Sequence, residues 1–250
     1  MGTALCKGLL ESLPELSVAI TDRHAERLKQ FSAIRTSTDP KEIVENADHV
    51  LIAVKPQSFD AICEELHDLL RGKLVISIMA GKTLKTLSEK TGSRRVVRTM
   101  PNLGAQVKKG MTAWIASSDV TASEKESVRM IFQAVGREIQ MKDESDIERF
   151  SVIVGCGPAY FFRLCSVLAQ EAQELGFSFA ESKRMAEETL IASGRLLELG
   201  SKTSDEWVQA VASKGGVTEA ALQYLAESDT DVVMKQAIQK SLLRSRELNS

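Results

Sequence analysis

Four cysteines and three histidines are all that 250 residues offer a metal or a disulfide framework. Cys6, Cys63, Cys156 and Cys165 form no CxxC and no zinc-like spacing, and His24, His49 and His67 are scattered over polar stretches. Reduced thiols and no metal are therefore expected. An excess of one charge is also missing: 32 Lys and Arg stand against 34 Asp and Glu, a formal net charge of −2, which gives no basic field for nucleic acid. Long hydrophobic runs are absent too. Stretches such as residues 50–54 fall far short of the roughly 20 apolar residues that span a bilayer. The N-terminus lacks the charged and apolar regions of a signal peptide, so a cytoplasmic location away from membranes is expected. There are neither internal repeats nor low-complexity segments.

What the chain does have is a first half in which short apolar, β-branched runs alternate with amphipathic stretches, the pattern of a parallel sheet wrapped by helices. It predicts strands near 16–20, 50–54, 74–78, 96–99, 112–116 and 138–141. Helices are predicted near 2–12, 22–31, 39–47, 59–69, 83–90 and 123–135. Asp39-Pro40 marks one helix start well, with an N-cap acceptor before a proline at the first helical position. After about Lys142 the strands stop. Phe161, Leu164, Cys165, Leu168, Ala172 and Leu175 then follow the spacing of one buried helical face, opened by Pro158 and closed by Gly176. Further helices are predicted at 182–199, around the small residues Ala192-Ser193-Gly194, and at 232–248. These helices carry more apolar face than a small bundle needs, so a homodimer or higher homo-oligomer is expected. The expected organisation is an α/β dinucleotide-binding domain over 1–142 and an all-α dimerisation and substrate domain over 143–250.

A dinucleotide site of the doubly wound type needs a strand, a glycine-rich turn and a helix N-terminus. Met1-Gly2-Thr3-Ala4-Leu5 looks like the tail of such a fingerprint, with Gly2 as its last glycine, and Asp22 follows 20 residues on, where an acidic residue bonds the ribose hydroxyls. Taken singly, Gly2 is equally an ordinary residue after a methionine, and Asp22 a helix cap. Arg23 can accept the 2′-phosphate that separates NADPH from NADH, or it is a solvated surface charge. Ala53-Val54-Lys55-Pro56 ends a strand abruptly, at the sheet edge where ligands of such folds bind. In Arg98-Thr99-Met100-Pro101-Asn102, the Asn102 amide suits a nicotinamide carboxamide or simply a turn. In the helical half, Ser213-Lys214-Gly215-Gly216-Val217-Thr218 reads either as a nest of N–H groups for a carboxylate or as a flexible turn with Thr218 as N-cap. Gly155-Cys156-Gly157-Pro158-Ala159-Tyr160 reads as a helix entry.

In order and spacing, these four motifs resemble those of the pyrroline-5-carboxylate reductases, and the resemblance runs to Arg244-Ser245-Arg246-Glu247-Leu248. It implies a Rossmann-type cofactor domain followed by a helical dimerisation domain. The active site would lie between subunits, the Gly-Gly loop of one protomer facing the nicotinamide held by the other. It also implies hydride transfer from NADPH or NADH to the C=N carbon of 1-pyrroline-5-carboxylate, giving L-proline. Gly2, Asp22, Arg23, Ala53, Val54, Lys55, Pro56 and Asn102 would contact cofactor. Ser213, Gly215 and Gly216 would hold the substrate carboxylate, and Thr218 would bond the ring nitrogen as a polarising donor. The sequence departs from the family in lacking its first strand and leading glycines, and in having Lys214 for a common proline and Cys156 for a common serine. A non-catalytic, reductase-like dimer with an interaction or regulatory role is the alternative. A hydroxy-acid dehydrogenase is a third reading, but no basic catalytic residue stands out for it.

Overall fold

The computed structural model describes residues 1–249; Ser250, the last residue of the expected helical domain, lies outside them. The first strong helix former run gives α1 (Gly2–Ser12), and a turn closed by Leu16 N–H to Leu13 O then delays β1 to Ala19–Thr21. The predicted start at 16 is thus corrected: Leu16 belongs to the turn. The helix predicted over 22–31 is shorter, α2 (Ala25–Leu28) continued by a 3₁₀ turn over Lys29–Phe31, because the Asp22 carboxylate takes the His24 N–H before the helix begins. The short edge strand β2 (Arg35–Ser37), polar and three residues long, has no apolar run to announce it. Next comes α3 (Pro40–Val44), with the Asp39 side chain accepting from Lys41 N–H.

From here the chain alternates β3 (His49–Ile52), α4 (Phe59–Leu70), β4 (Leu74–Ser77), α5 (Leu84–Thr91) and β5 (Val96–Pro101). After a 3₁₀ turn over Leu103–Val107 come β6 (Gly110–Ala116), α6 (Ala122–Gln133), β7 (Gly136–Gln140) and α7 (Glu144–Phe150). The strands form two sheets, β1-β2 and β3-β4-β5-β6-β7, and among the described residues β1 and β3 are paired on one edge each. The parallel sheet that the alternation suggested holds for β3-β4-β5 and β6-β7, with one exception at β6, which runs antiparallel to β5. The connection between them is a 3₁₀ turn, too short for the crossover that parallel strands require.

Alternation along β4 decides which core each residue enters. Leu74 and Ile76 join Leu5, Val97, Trp114 and Phe132 on one face, while Val75 joins Phe59, Cys63, Leu70, Leu87 and Val96 on the other. Both faces of the central strands are covered, as in doubly wound sheets. Burial pushes the Cys63 thiol up to about 11, which keeps it neutral. Gly136 pairs with Gly110 at φ +147, and a Cβ there would lie 2.0 Å from Gly110 O. Gly136→Ala should therefore lose about 3 kcal/mol or more of stability. Unchanged thermal melting would refute that.

The helical half continues with α8 (Gly157–Glu174), α9 (Phe179–Glu198), α10 (Ser204–Val211), α11 (Val217–Glu227) and α12 (Thr230–Asn249). Compact units divide at Gly155 and Cys156, with the chain from Leu242 grouped with the first. The strands do end near 142, but α7 packs Ile147 and Phe150 on Ala113 and Ile115 of β6 and so stays with the sheet. The α8 face predicted to be buried is not: Phe161, Leu164 and Leu168 are 60%, 54% and 44% exposed, and Leu175 is exposed as well. Among the described residues α9 is the main packing partner of α8. The absence of a long apolar segment is also corrected, since the continuous helix Glu144–Glu174 is long and apolar enough, by length and composition alone, to cross a membrane.

Candidate active site

Strands β3, β4 and β5 are parallel, so the segments that follow them emerge at one edge of the larger sheet. Ala53-Val54-Lys55-Pro56 leaves β3 there, with Lys55 extended and Pro56 opening a 3₁₀ turn. Gly2 is brought to the same place, because a Cβ on it would sit 3.0 Å from the Ala53 Cβ. The first turn of α1 has no side-chain cap, and its first internal bond is Leu5 N–H to Met1 O. Uncapped amides at the positive end of a helix beside a strand end suit a phosphate. Residues 78–82 after β4 share this edge, including Gly81 at φ +75. Their signal in the sequence is the Ala80-Gly81 turn after an apolar run.

Asp22 follows β1. Burial acts to raise its carboxyl, but the bonds from His24 N–H and Arg27 hold it below the usual carboxylate range. The pair to Asp22 is Arg27, at 3.2 Å, a residue missed in the sequence because helical spacing hid it on α2. Arg23 instead lies 4.0 Å from Glu65 with a largely exposed side chain. Asn102 is already engaged: Oδ1 accepts from Met111 N–H at 3.0 Å and Nδ2 donates to Val154 O at 3.2 Å. It staples the end of β5 to β6 and to the π-helical turn Ser151–Gly155. Next to it in the motif, the buried Arg98 donates to Glu144 Oε1 at 3.0 Å. A cleft lined by Arg71, Lys73, Arg95 and Glu124 sits at the opposite end of the strands and contains none of the motif residues. Two of its cations are engaged, Lys73 on the Glu45 and Ala47 carbonyls and Arg95 on Glu124.

In the helical unit, Ser213, Lys214, Gly215 and Gly216 form a tight turn closed by Gly216 N–H to Ser213 O at 2.9 Å. Gly215 has φ +72, the value its third position demands, and Lys214 stands where such turns favour proline. A Cβ on Gly216 would meet Ser213 Oγ at 2.5 Å, so only glycine fits. The Gly216 N–H is spent on the turn, while the Gly215 N–H donates to the Glu219 carboxylate at 2.6 Å. Gly216 is the N-cap of α11, which makes Thr218 the second helical residue and removes it as a cap. Among the described residues the half-buried Thr218 hydroxyl has no hydrogen-bond partner. The Gly155–Tyr160 motif latches α8 to α12 through Cys156 Sγ and Ser241 Oγ, 3.5 Å apart. Burial pushes the Tyr160 hydroxyl up, and Tyr160 too bonds Ser241.

A sheet edge with an uncapped helix start and an acidic residue after the next strand, followed in the chain by a helical unit, is the organisation of a nicotinamide-dependent oxidoreductase of two domains. Comparison with known proteins agrees. Residues 144–248 match the family model described as pyrroline-5-carboxylate reductase dimerisation, and residues 1–81 match that of NADP oxidoreductase, coenzyme F420-dependent. Pyrroline-5-carboxylate reductase of Pseudomonas aeruginosa is 30% identical, covering 99% of this chain and 93% of its own. That of Methanosarcina acetivorans is also 30% identical, over 99% and 94%. The structure of such a reductase from Coxiella burnetii superposes with TM-score 0.91 at 29% identity, covering 100% of this chain and 95% of the other. This chain belongs to the pyrroline-5-carboxylate reductase family.

Proposed function

We propose that the protein reduces 1-pyrroline-5-carboxylate to L-proline, that its Gly-Gly turn receives the substrate carboxylate, and that it works as a homodimer in the cytoplasm. The observation that carries the site reading is the turn itself, whose Gly215 N–H already holds a carboxylate at 2.6 Å. When bound, the nicotinamide cofactor supplies the hydride for the C=N carbon. The residues of this chain bind and orient. Gly2 and the first-turn amides of α1 face the pyrophosphate, with Ala53, Val54, Lys55 and Pro56 beside them. Asp22 accepts from the ribose hydroxyls, and the exposed Arg23 meets a 2′-phosphate, giving up its 4.0 Å pair with Glu65. Asn102 retains one amide hydrogen for a carboxamide while it holds the strand end in place.

In the helical unit Gly215 donates to the substrate carboxylate. Gly216 keeps the turn open by having no side chain, and Ser213 stands over it. The Thr218 hydroxyl, without a partner of its own, bonds the ring nitrogen as its electron pair is formed by hydride addition. The proton that completes the amine comes with the substrate. No group in this account has to act as a strong acid. The test is cofactor oxidation with 1-pyrroline-5-carboxylate in the presence of NADPH or NADH. Proline should form in equal amount to the cofactor oxidised. Arg23→Ala should raise the KM for NADPH about tenfold, the loss of one charged contact, and leave that for NADH unchanged. Equal effects on both cofactors would return Arg23 to the solvated surface.

A further inference from the structure

Glu219 lies on the first turn of α11, three residues after the N-cap Gly216, and its carboxylate reaches back to the Gly215 N–H at 2.6 Å. That N–H is the donor assigned above to the substrate carboxylate. The group now on it is chemically the same as the group it is to receive. We infer that Glu219 is a tethered competitor for the substrate carboxylate, occupying the turn when it is empty and swinging aside when substrate enters. This rests on the reading of the turn as the carboxylate site.

Three features favour displacement over a fixed cap. The Glu219 residue is exposed, so its side chain has solvent to move into. The Gly215 contact is the one hydrogen bond of its side chain among the described residues, so leaving breaks nothing else. One N–H cannot serve two carboxylates at full strength, and two like charges at one turn repel each other. A carboxylate reaching back from the third helical position is also an ordinary capping device, which stabilises the helix start. Capping alone has no effect on substrate affinity, and this separates the two roles.

Glu219→Gln keeps the side-chain length and an acceptor oxygen but removes the charge. In steady-state reduction of 1-pyrroline-5-carboxylate by the full chain, it should lower the substrate KM roughly threefold to tenfold, with kcat within about twofold. The KM for the nicotinamide cofactor should not move, and inhibition by L-proline should tighten by the same factor as the substrate KM. Glu219→Asp, one methylene shorter and so a poorer reach to Gly215, should lower the substrate KM as well, which provides a second variant if the first folds poorly. An unchanged or raised substrate KM in these variants overturns the inference. Gly216→Ala is the control for the underlying reading, since its Cβ would press on Ser213 Oγ. If it raises the substrate KM while the Glu219 variants do nothing, the tethered competitor alone fails. If it leaves the substrate KM unchanged, the turn is not the carboxylate site and both fall.

Discussion

Thr218→Ala is expected to lower kcat by about tenfold to a hundredfold, the effect of losing one hydrogen bond worth roughly 1–3 kcal/mol at the transition state. Binding of the nicotinamide cofactor should be unchanged. The structure sharpens this result, because a threonine that capped its helix would lose stability on truncation, about 1 kcal/mol. Gly216 is the cap here, and Thr218 is the second residue of α11 with a hydroxyl that has no hydrogen-bond partner among the described residues. Alanine also has the higher helix propensity. The variant should thus melt at or slightly above the parent temperature while turning over far more slowly. Full activity at unchanged stability would leave the hydroxyl without a role.

Leu164→Asp is expected to separate the dimer. Leu164 is 54% exposed on α8, between Phe161 and Leu168 on the same exposed face. Residues 144–248 match a dimerisation family, and in the proposed homodimer a second copy would cover this face. An unpaired carboxylate buried there should oppose association by about 3–5 kcal/mol per copy. Sedimentation equilibrium should show the mass falling to that of one chain at concentrations where the parent is dimeric. An unchanged mass with intact helical content would place the interface on another face.

Periodicity made the buried strands β4 and β5 and the helix α4 legible, because each is apolar enough to announce itself. What it could not show is set by contacts distant in sequence. The direction of β6 depends on the short path from β5, and the exposed edge strand β2 has no apolar signal at all. The spacing of the α8 stripe showed one apolar face but not what covers it, and in the single chain that face is exposed. At the site, the motifs gave the turn and its glycines, while the atoms that decide their use were invisible. The Gly216 N–H closes the turn, Asn102 is occupied at both ends of its amide, and Arg27 rather than Arg23 pairs with Asp22. Glu219 had a signal, an acidic residue three positions after the helix cap, but its meaning depends on the 2.6 Å contact.

The most direct test of the account is a crystal structure of the dimer with L-proline bound. The proline carboxylate should lie within hydrogen-bond distance of the Gly215 N–H, with the ring nitrogen at the Thr218 hydroxyl and the Glu219 side chain turned away from the turn. Proline bound elsewhere, with the Glu219 carboxylate still on Gly215, would contradict it.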